Sequence, residues 1–165
     1  HLSTATSLNN LARLLQDQGD LAGARPLFER ALAIYEKALG ADHLSTATSL
    51  NNLALLLQDQ GDLAGSRPLY ERALAIREKA LGADHPDTSL TRNNLGRLRL
   101  AVGDPEAALA MAGASVKAHE QALGANHQWT RRAAEVAADA LDALGRPDEA
   151  AAVRTKYRLG GGPAA

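Results

Sequence analysis

One sentence is written twice in this chain. HLSTATSLNNLARLLQDQGDLAGARPLFERALAIYEKALGAD occupies His1–Asp42, and HLSTATSLNNLALLLQDQGDLAGSRPLYERALAIREKALGAD occupies His43–Asp84. The two copies differ at four positions: Arg13/Leu55, Ala24/Ser66, Phe28/Tyr70 and Tyr35/Arg77. A looser copy runs over 85–126, and a fourth starts at His127 and ends near Leu159. A fixed period of this size marks a solenoid, in which each unit buries its apolar face against the next. The 165 residues therefore read as one array over 1–159, with units 1–42, 43–84, 85–126 and 127–159. A flexible tail is expected over 160–165, where three glycines precede Pro163.

Within the first unit, Leu8, Leu11, Ala12 and Leu15 follow the i, i+3, i+4, i+7 spacing of one helix face. Ser3 or Thr4 suits the N-cap of this helix A. Gly19-Asp20 breaks it, and Leu21, Ala24, Phe28, Ala31 and Tyr35 mark the face of a longer helix B. Asp20 suits the N-cap of helix B, and Gly40 its left-handed stop. Pro26, repeated at Pro68, sits inside helix B and predicts a local bend rather than a break. Four such units give about eight helices in an all-α solenoid.

Composition narrows the function classes. The chain is 45% hydrophobic, yet it has five aromatic residues, so the core must rest on Leu and Ala. A net charge of −1 gives no field favouring nucleic acid or an anionic membrane surface. No apolar run approaches the ~18 residues of a membrane helix. The absence of cysteine excludes disulfides and thiolate metal sites and fits a reducing, cytoplasmic setting.

The unit resembles a tetratricopeptide repeat (TPR). Leu8-x2-Leu11-Ala12-x2-Leu15, then Gly19, then Ala24-x3-Phe28 match that family's pattern, as do Leu50, Leu53, Ala54, Leu57, Gly61, Ser66 and Tyr70 in the second copy. The phrases LNNLALLLQDQG, YERALAIREKALG and ADHPDT resemble the longer, 42-residue repeats of kinesin light chains and their bacterial relatives. The resemblance implies a right-handed superhelix whose A helices line a concave groove. It also implies protein or peptide binding without catalysis by the repeats.

On that geometry the groove receives Asn9, Asn10, Arg13 and Gln16, then Asn51, Asn52, Leu55 and Gln58, then Leu90, Asn93, Asn94, Arg97 and Leu100. The Asn-Asn pair is the sharpest candidate. Asn is a mediocre residue inside a helix, because its amide competes for backbone hydrogen bonds. The same amide offers donors and an acceptor to a peptide backbone. The competing reading is that the pairs bond between repeats and fix the stacking; two adjacent residues lie ~100° apart on a helix, so each pair can divide the roles. Related repeats contact a ligand backbone from this face, which carries over to Asn10, Asn52 and Asn94. Arg13, Arg97 and Arg132 suit a carboxylate, although Leu90 and Leu55 depart from a carboxylate clamp.

The third copy places Arg92 and Arg99 where the first has Leu8 and Leu15, and Ala112 where it has Phe28. Either helix A rotates toward Leu95, Leu98 and Val102, or the arginines extend their stems over small neighbours and pair with Glu135, Asp139 or Asp142. The second arrangement is expected. His1, His43, His85 and His127 recur once per unit but stand too far apart to share a metal, and are expected to shape the loop before each helix A. No phosphate loop, dinucleotide fingerprint or nucleophile motif is present, so neither cofactor, metal nor catalytic set is expected.

The expected function is an interaction scaffold binding an extended peptide or partner protein. The alternative is a self-associating or spacer module of a larger protein. The fourth copy is polar enough for a cap, whereas Leu8, Leu11 and Leu15 of the first are left partly open. Further repeats before His1, or end-to-end self-association through this face, are the corresponding expectations.

Overall fold

The computed structural model describes residues 1–160, so the expected tail from 161 onward lies outside the described residues. Among the described residues there are eight α-helices and no strand. In chain order they are α1 (Leu2–Asp17), α2 (Leu21–Leu39), α3 (Leu44–Asp59), α4 (Leu63–Leu81), α5 (Pro86–Ala101), α6 (Pro105–Leu123), α7 (Gln128–Ala143) and α8 (Pro147–Lys156). This is an all-α helical repeat fold, with helix A and helix B alternating.

Local chemistry sets the helix ends. Asp20 caps α2 by accepting from the Gly23 amide at 2.9 Å, and Asp62 repeats this on Gly65 at 2.9 Å. A Cβ at Gly23 or Gly65 would collide with that carboxylate, so glycine is what lets the cap fold inward. Where the third copy has Ala107 instead, the Asp104 cap stretches to 3.2 Å. Seven glycines with positive φ, from Gly19 to Gly145, close the helices or their turns.

The cap expected from Ser3 or Thr4 is corrected by the structure. The residue at the N-cap of α1 is His1, and the equivalent His43, His85 and His127 cap α3, α5 and α7 through Nδ1. Their ring nitrogens accept from the Ser45, Asp87 and Trp129 amides at 3.0–3.1 Å. The Ser and Thr fall inside the first turn, too late to cap. Thr46 instead turns its hydroxyl back onto the Gly40 carbonyl at 2.8 Å.

Pro26 and Pro68 leave α2 and α4 unbroken. The carbonyl deprived of its partner by Pro26 is that of Ala22, an exposed residue on the solvent side, where the loss is cheapest.

The chain divides into two compact units, 1–80 and the remainder from Leu81. In the first, Ala12, Ala24, Phe28, Leu53, Leu56 and Leu57 form one core cluster, and Ala47, Leu50, Ala73 and Ile76 another. Small residues set the close crossing of helix A on helix B: Ala54 lies near enough for Ser66 Oγ to donate to its carbonyl at 2.6 Å. In the second unit, Gly96 takes the Ala54 position, and a Cβ there would sit 3.2 Å from Met111 Cβ. Ala112, Val136 and Ala137 cluster there, as do Ala138, Leu141 and Ala150.

Arg92 and Arg99 are half-buried, as expected of extended stems, but their expected partners are wrong. Arg92 donates to the Ala83 carbonyl at 2.8 Å and to Ser89 Oγ at 3.4 Å, while Arg99 pairs with Asp104 at 3.7 Å. Asp139 and Asp142 are taken by Arg154, at 2.9 and 2.7 Å. Nor is a rotation toward Val102 seen, because Leu95 and Leu98 are buried whereas Val102 is exposed.

Candidate functional site

The asparagine pairs split. Asn9, Asn51 and Asn93 are only 8, 8 and 6% exposed. Their neighbours Asn10, Asn52 and Asn94 are exposed, half-buried and half-buried. The first member of each pair therefore turns into the helix packing and the second toward solvent, as the ~100° step between them requires. Asn9, Asn51 and Asn93, expected among the groove residues, are thus the more buried members of their pairs. The Oδ1 atoms of Asn9 and Asn93 are buried without a hydrogen-bond partner.

In the first unit, the face bearing Asn10 also carries Arg13, Leu14 and Asp17, at i+3, i+4 and i+7. These four residues line a shallow depression of about 210 Å³. On α3 the corresponding positions are Asn52, Leu55, Leu56 and Asp59; Leu55 is half-buried and Leu56 buried. Gln16 ties the two A helices together, donating from Nε2 to Asp59 Oδ2 at 2.6 Å. Gln58 accepts from the Tyr70 hydroxyl at 3.3 Å. Both glutamines therefore hold helices in place, a role that the sequence pattern did not reveal.

A second tether lies at one variable position. Tyr35 shares a hydrogen bond of 3.0 Å with Thr6 Oγ1, and Arg77, its replacement in the second copy, donates to Thr48 Oγ1 at 3.2 Å. In the third copy His119 stands there, with Nε2 3.0 Å from the Pro86 carbonyl and its ring against Trp129 at 5.7 Å. Three chemically different side chains thus reach helix A of their own repeat from one position of helix B.

In the second unit, Arg97 is exposed on α5 and Arg132 on α7, while Leu90 and Leu100 are half-buried. Away from these, α6 and α8 frame an open depression of about 500 Å³ lined by Lys117, Glu120, Gln121, Lys156 and Tyr157. The Tyr157 hydroxyl donates to Glu120 Oε2 at 2.7 Å, and Lys156 lies 3.4 Å from the same oxygen. The tyrosine hydrogen bond, aided by the ammonium, holds the Glu120 carboxyl below its ordinary range. Burial pushes the Tyr157 phenol up. Among the described residues no group of three His, Asp or Glu side chains is arranged to hold a metal ion. No helix among them is long and apolar enough to cross a membrane.

A family model described as tetratricopeptide repeat matches residues 3–79 and 49–119, and a second of the same description matches 131–154. The chain belongs to the tetratricopeptide repeat family. Its TPR array is of the kinesin-light-chain type. A crystal structure of a kinesin light chain-like protein of Podosopora anserina, with nearly identical TPR-like repeats, superposes with a TM-score of 0.85 at 28% identity, covering 95% of this chain and 74% of that one. BtubC (BKLC) from P. vanneervenii gives 0.82 at 20% identity, covering 98% and 67%, and supports the fold. MamA protein is more distant, at 0.52 and 15% identity, covering 93% and 90%. No curated protein sequence matches the chain.

Proposed function

We propose that the exposed face of the A helices in each unit binds an extended peptide segment of a partner protein. Tetratricopeptide repeats generally mediate protein–protein interaction. What supports the finer reading is the split of the asparagine pairs: the second amide of each pair is the more accessible one, on a face that also carries Arg13 and Asp17. An amide there can donate to and accept from a peptide backbone without selecting its side chains. Selection then falls to the residues beside it. Arg13 against Leu55 is one of only four differences between the first two copies, and it lies on this face, giving one copy an anion-seeking site and the other an apolar one. No catalytic step is proposed, in keeping with the repeat fold.

The test is selection of random linear peptides displayed on phage against the whole chain, followed by affinity measurement with the Asn10→Ala/Asn52→Ala variant. A backbone hydrogen bond is worth about 1 kcal/mol, so the double variant is expected to bind about 25-fold more weakly with unchanged helicity. Enrichment of peptides that bind the variant equally well would refute the reading. In the second unit, Asn94→Ala with Arg97→Ala forms an independent arm of the same test.

A further inference from the structure

Trp129 is the only tryptophan of the chain, and two histidine rings lie against it. His119 of α6 is fully buried, with its ring 5.7 Å from the indole. His127, the N-cap of α7, meets the indole edge-on at 5.6 Å. Hydrogen bonds fix where the proton sits on each neutral ring. His119 Nε2 lies 3.0 Å from the Pro86 carbonyl, which can only accept, so Nε2 carries the proton. His119 Nδ1 is then bare, and it is buried without a hydrogen-bond partner. His127 Nδ1 accepts from the Trp129 amide at 3.1 Å, so it is bare as well. Both rings thus fit their surroundings uncharged. The first two repeats lack this arrangement: Tyr35 and Arg77 stand at the position of His119, and Ser45 and Asp87 at that of Trp129.

We infer that His119 and His127 form an acid-operated latch on the N-terminal end of α7, closed at neutral pH and released as pH falls through the range in which histidines titrate. A further proton has only Nδ1 to go to in either ring. On His119 it creates a charge and an N–H donor in a closed site with nothing to receive them. On His127 it removes the acceptor that caps α7 and puts a cation at a helix N-terminus, the end that favours anions. A cation against an indole gains some attraction, but an unpaired buried charge costs more. No carboxylate stands by to offset it. On α6, the Glu120 carboxylate next in sequence to His119 is held by Tyr157 and by Lys156 of α8, and Lys117 is exposed. On α5, His85 caps its own helix, Arg92 reaches back to the Ala83 carbonyl, and Asp87 beside Pro86 makes no bond to His119 Nδ1. On α7, Arg131 is turned to the carbonyls of Tyr157 and Arg158. The stability that the latch supplies is therefore complete above the histidine range and lost below it. None of these groups lies on the face bearing Asn10, Arg13 and Asp17, so the inference does not depend on peptide binding.

Tryptophan fluorescence of the whole chain reports on this joint alone, because Trp129 has no rival. From about pH 7.5 to about pH 5, across the histidine range and above that of Glu120, its emission is expected to move to longer wavelength and its quenching by acrylamide to rise. His119→Gln keeps a donor for the Pro86 carbonyl, and His127→Asn keeps an acceptor for the Trp129 amide; neither side chain takes up a proton. The double variant is expected to match the parent at neutral pH and to lose the acid response, although the remaining histidines still titrate. In parallel, amide exchange at Ala133 and Ala134 of α7 in the parent is expected to lose about tenfold in protection over the same range. Unchanged wavelength and quenching in the parent overturn the inference, even if the intensity falls, because a protonated imidazole dims an indole without moving it. A response that persists in the double variant overturns it too. Should that variant fail to fold, constant protection of Ala133 and Ala134 in the parent is the result that refutes the latch, and a loss of protection upholds it.

Discussion

Asn51 and Asn52 are neighbours in sequence with opposite surroundings, one buried and the other half open. Replacing Asn51 with Ala is expected to destabilise the protein by about 1–3 kcal/mol, read as a lower denaturant midpoint, because it empties a packed polar site. Asn52→Ala is expected to stay within about 0.5 kcal/mol of the parent. That one residue of each pair serves packing was open to a sequence reader. Which one did not follow from the two adjacent amides themselves; it was the family resemblance that singled out Asn10, Asn52 and Asn94 as the outward members. Capping shows a similar limit. The recurring histidine was visible and its place before helix A was clear, but Ser3 and Thr4 hid its role by being better-known caps. His85→Ala is expected to cost about 1 kcal/mol in thermal or chemical unfolding, with His85→Asn retaining most of the stability.

At the level of the helix, glycines with the same name have opposite prospects. Gly113 lies in the middle of α6, and a Cβ added there would meet nothing within 4 Å. Gly113→Ala is therefore expected to raise stability by about 0.5–1 kcal/mol. Gly23→Ala is expected to lower it, since its Cβ meets the Asp20 carboxylate that caps the same helix. Both changes are readable as shifts in melting temperature. The α6–α8 tether adds a pH dependence. The Glu120 carboxyl is held low by Tyr157, so its contribution is complete above the ordinary carboxylate range and fades as pH falls through its own, lower value. Tyr157→Phe is expected to shrink this acid-side loss in an unfolding series against pH. The turn glycines and the Asp caps of the B helices were legible in the sequence because they act locally. The partners of Arg92 and Arg99 were not, because Asp139 and Asp142 had a nearer cation in Arg154, which stands where the first copy has Phe28.

For the molecule as a whole, stability is expected to be uneven along the array. Helix α1 buries Ala5, Asn9 and Ala12, whereas α3, almost its twin, buries nine residues. Amide hydrogen exchange in the intact chain is therefore expected to be faster in α1 than in α3, although their sequences differ only at Arg13/Leu55. Equal protection in the two would mean that local sequence, not covering neighbours, sets helix stability here. The repeat period and the all-α class were plain from the first two copies, since they need only recurrence and a 3.6-residue rhythm. The unequal burial of twin helices was not, because it is a property of what lies beside each helix.

The left-handed glycines carry one more implication. Gly19, Gly40, Gly61, Gly82, Gly103, Gly124 and Gly145 return every 21 residues, half the length of the repeat. A slip of 21 would keep every bend yet put the face of one helix type where the other belongs. Only insertions or losses of 42 preserve both rhythm and surface, so the chain can change its reach in whole steps alone, like a ruler cut at its own graduations.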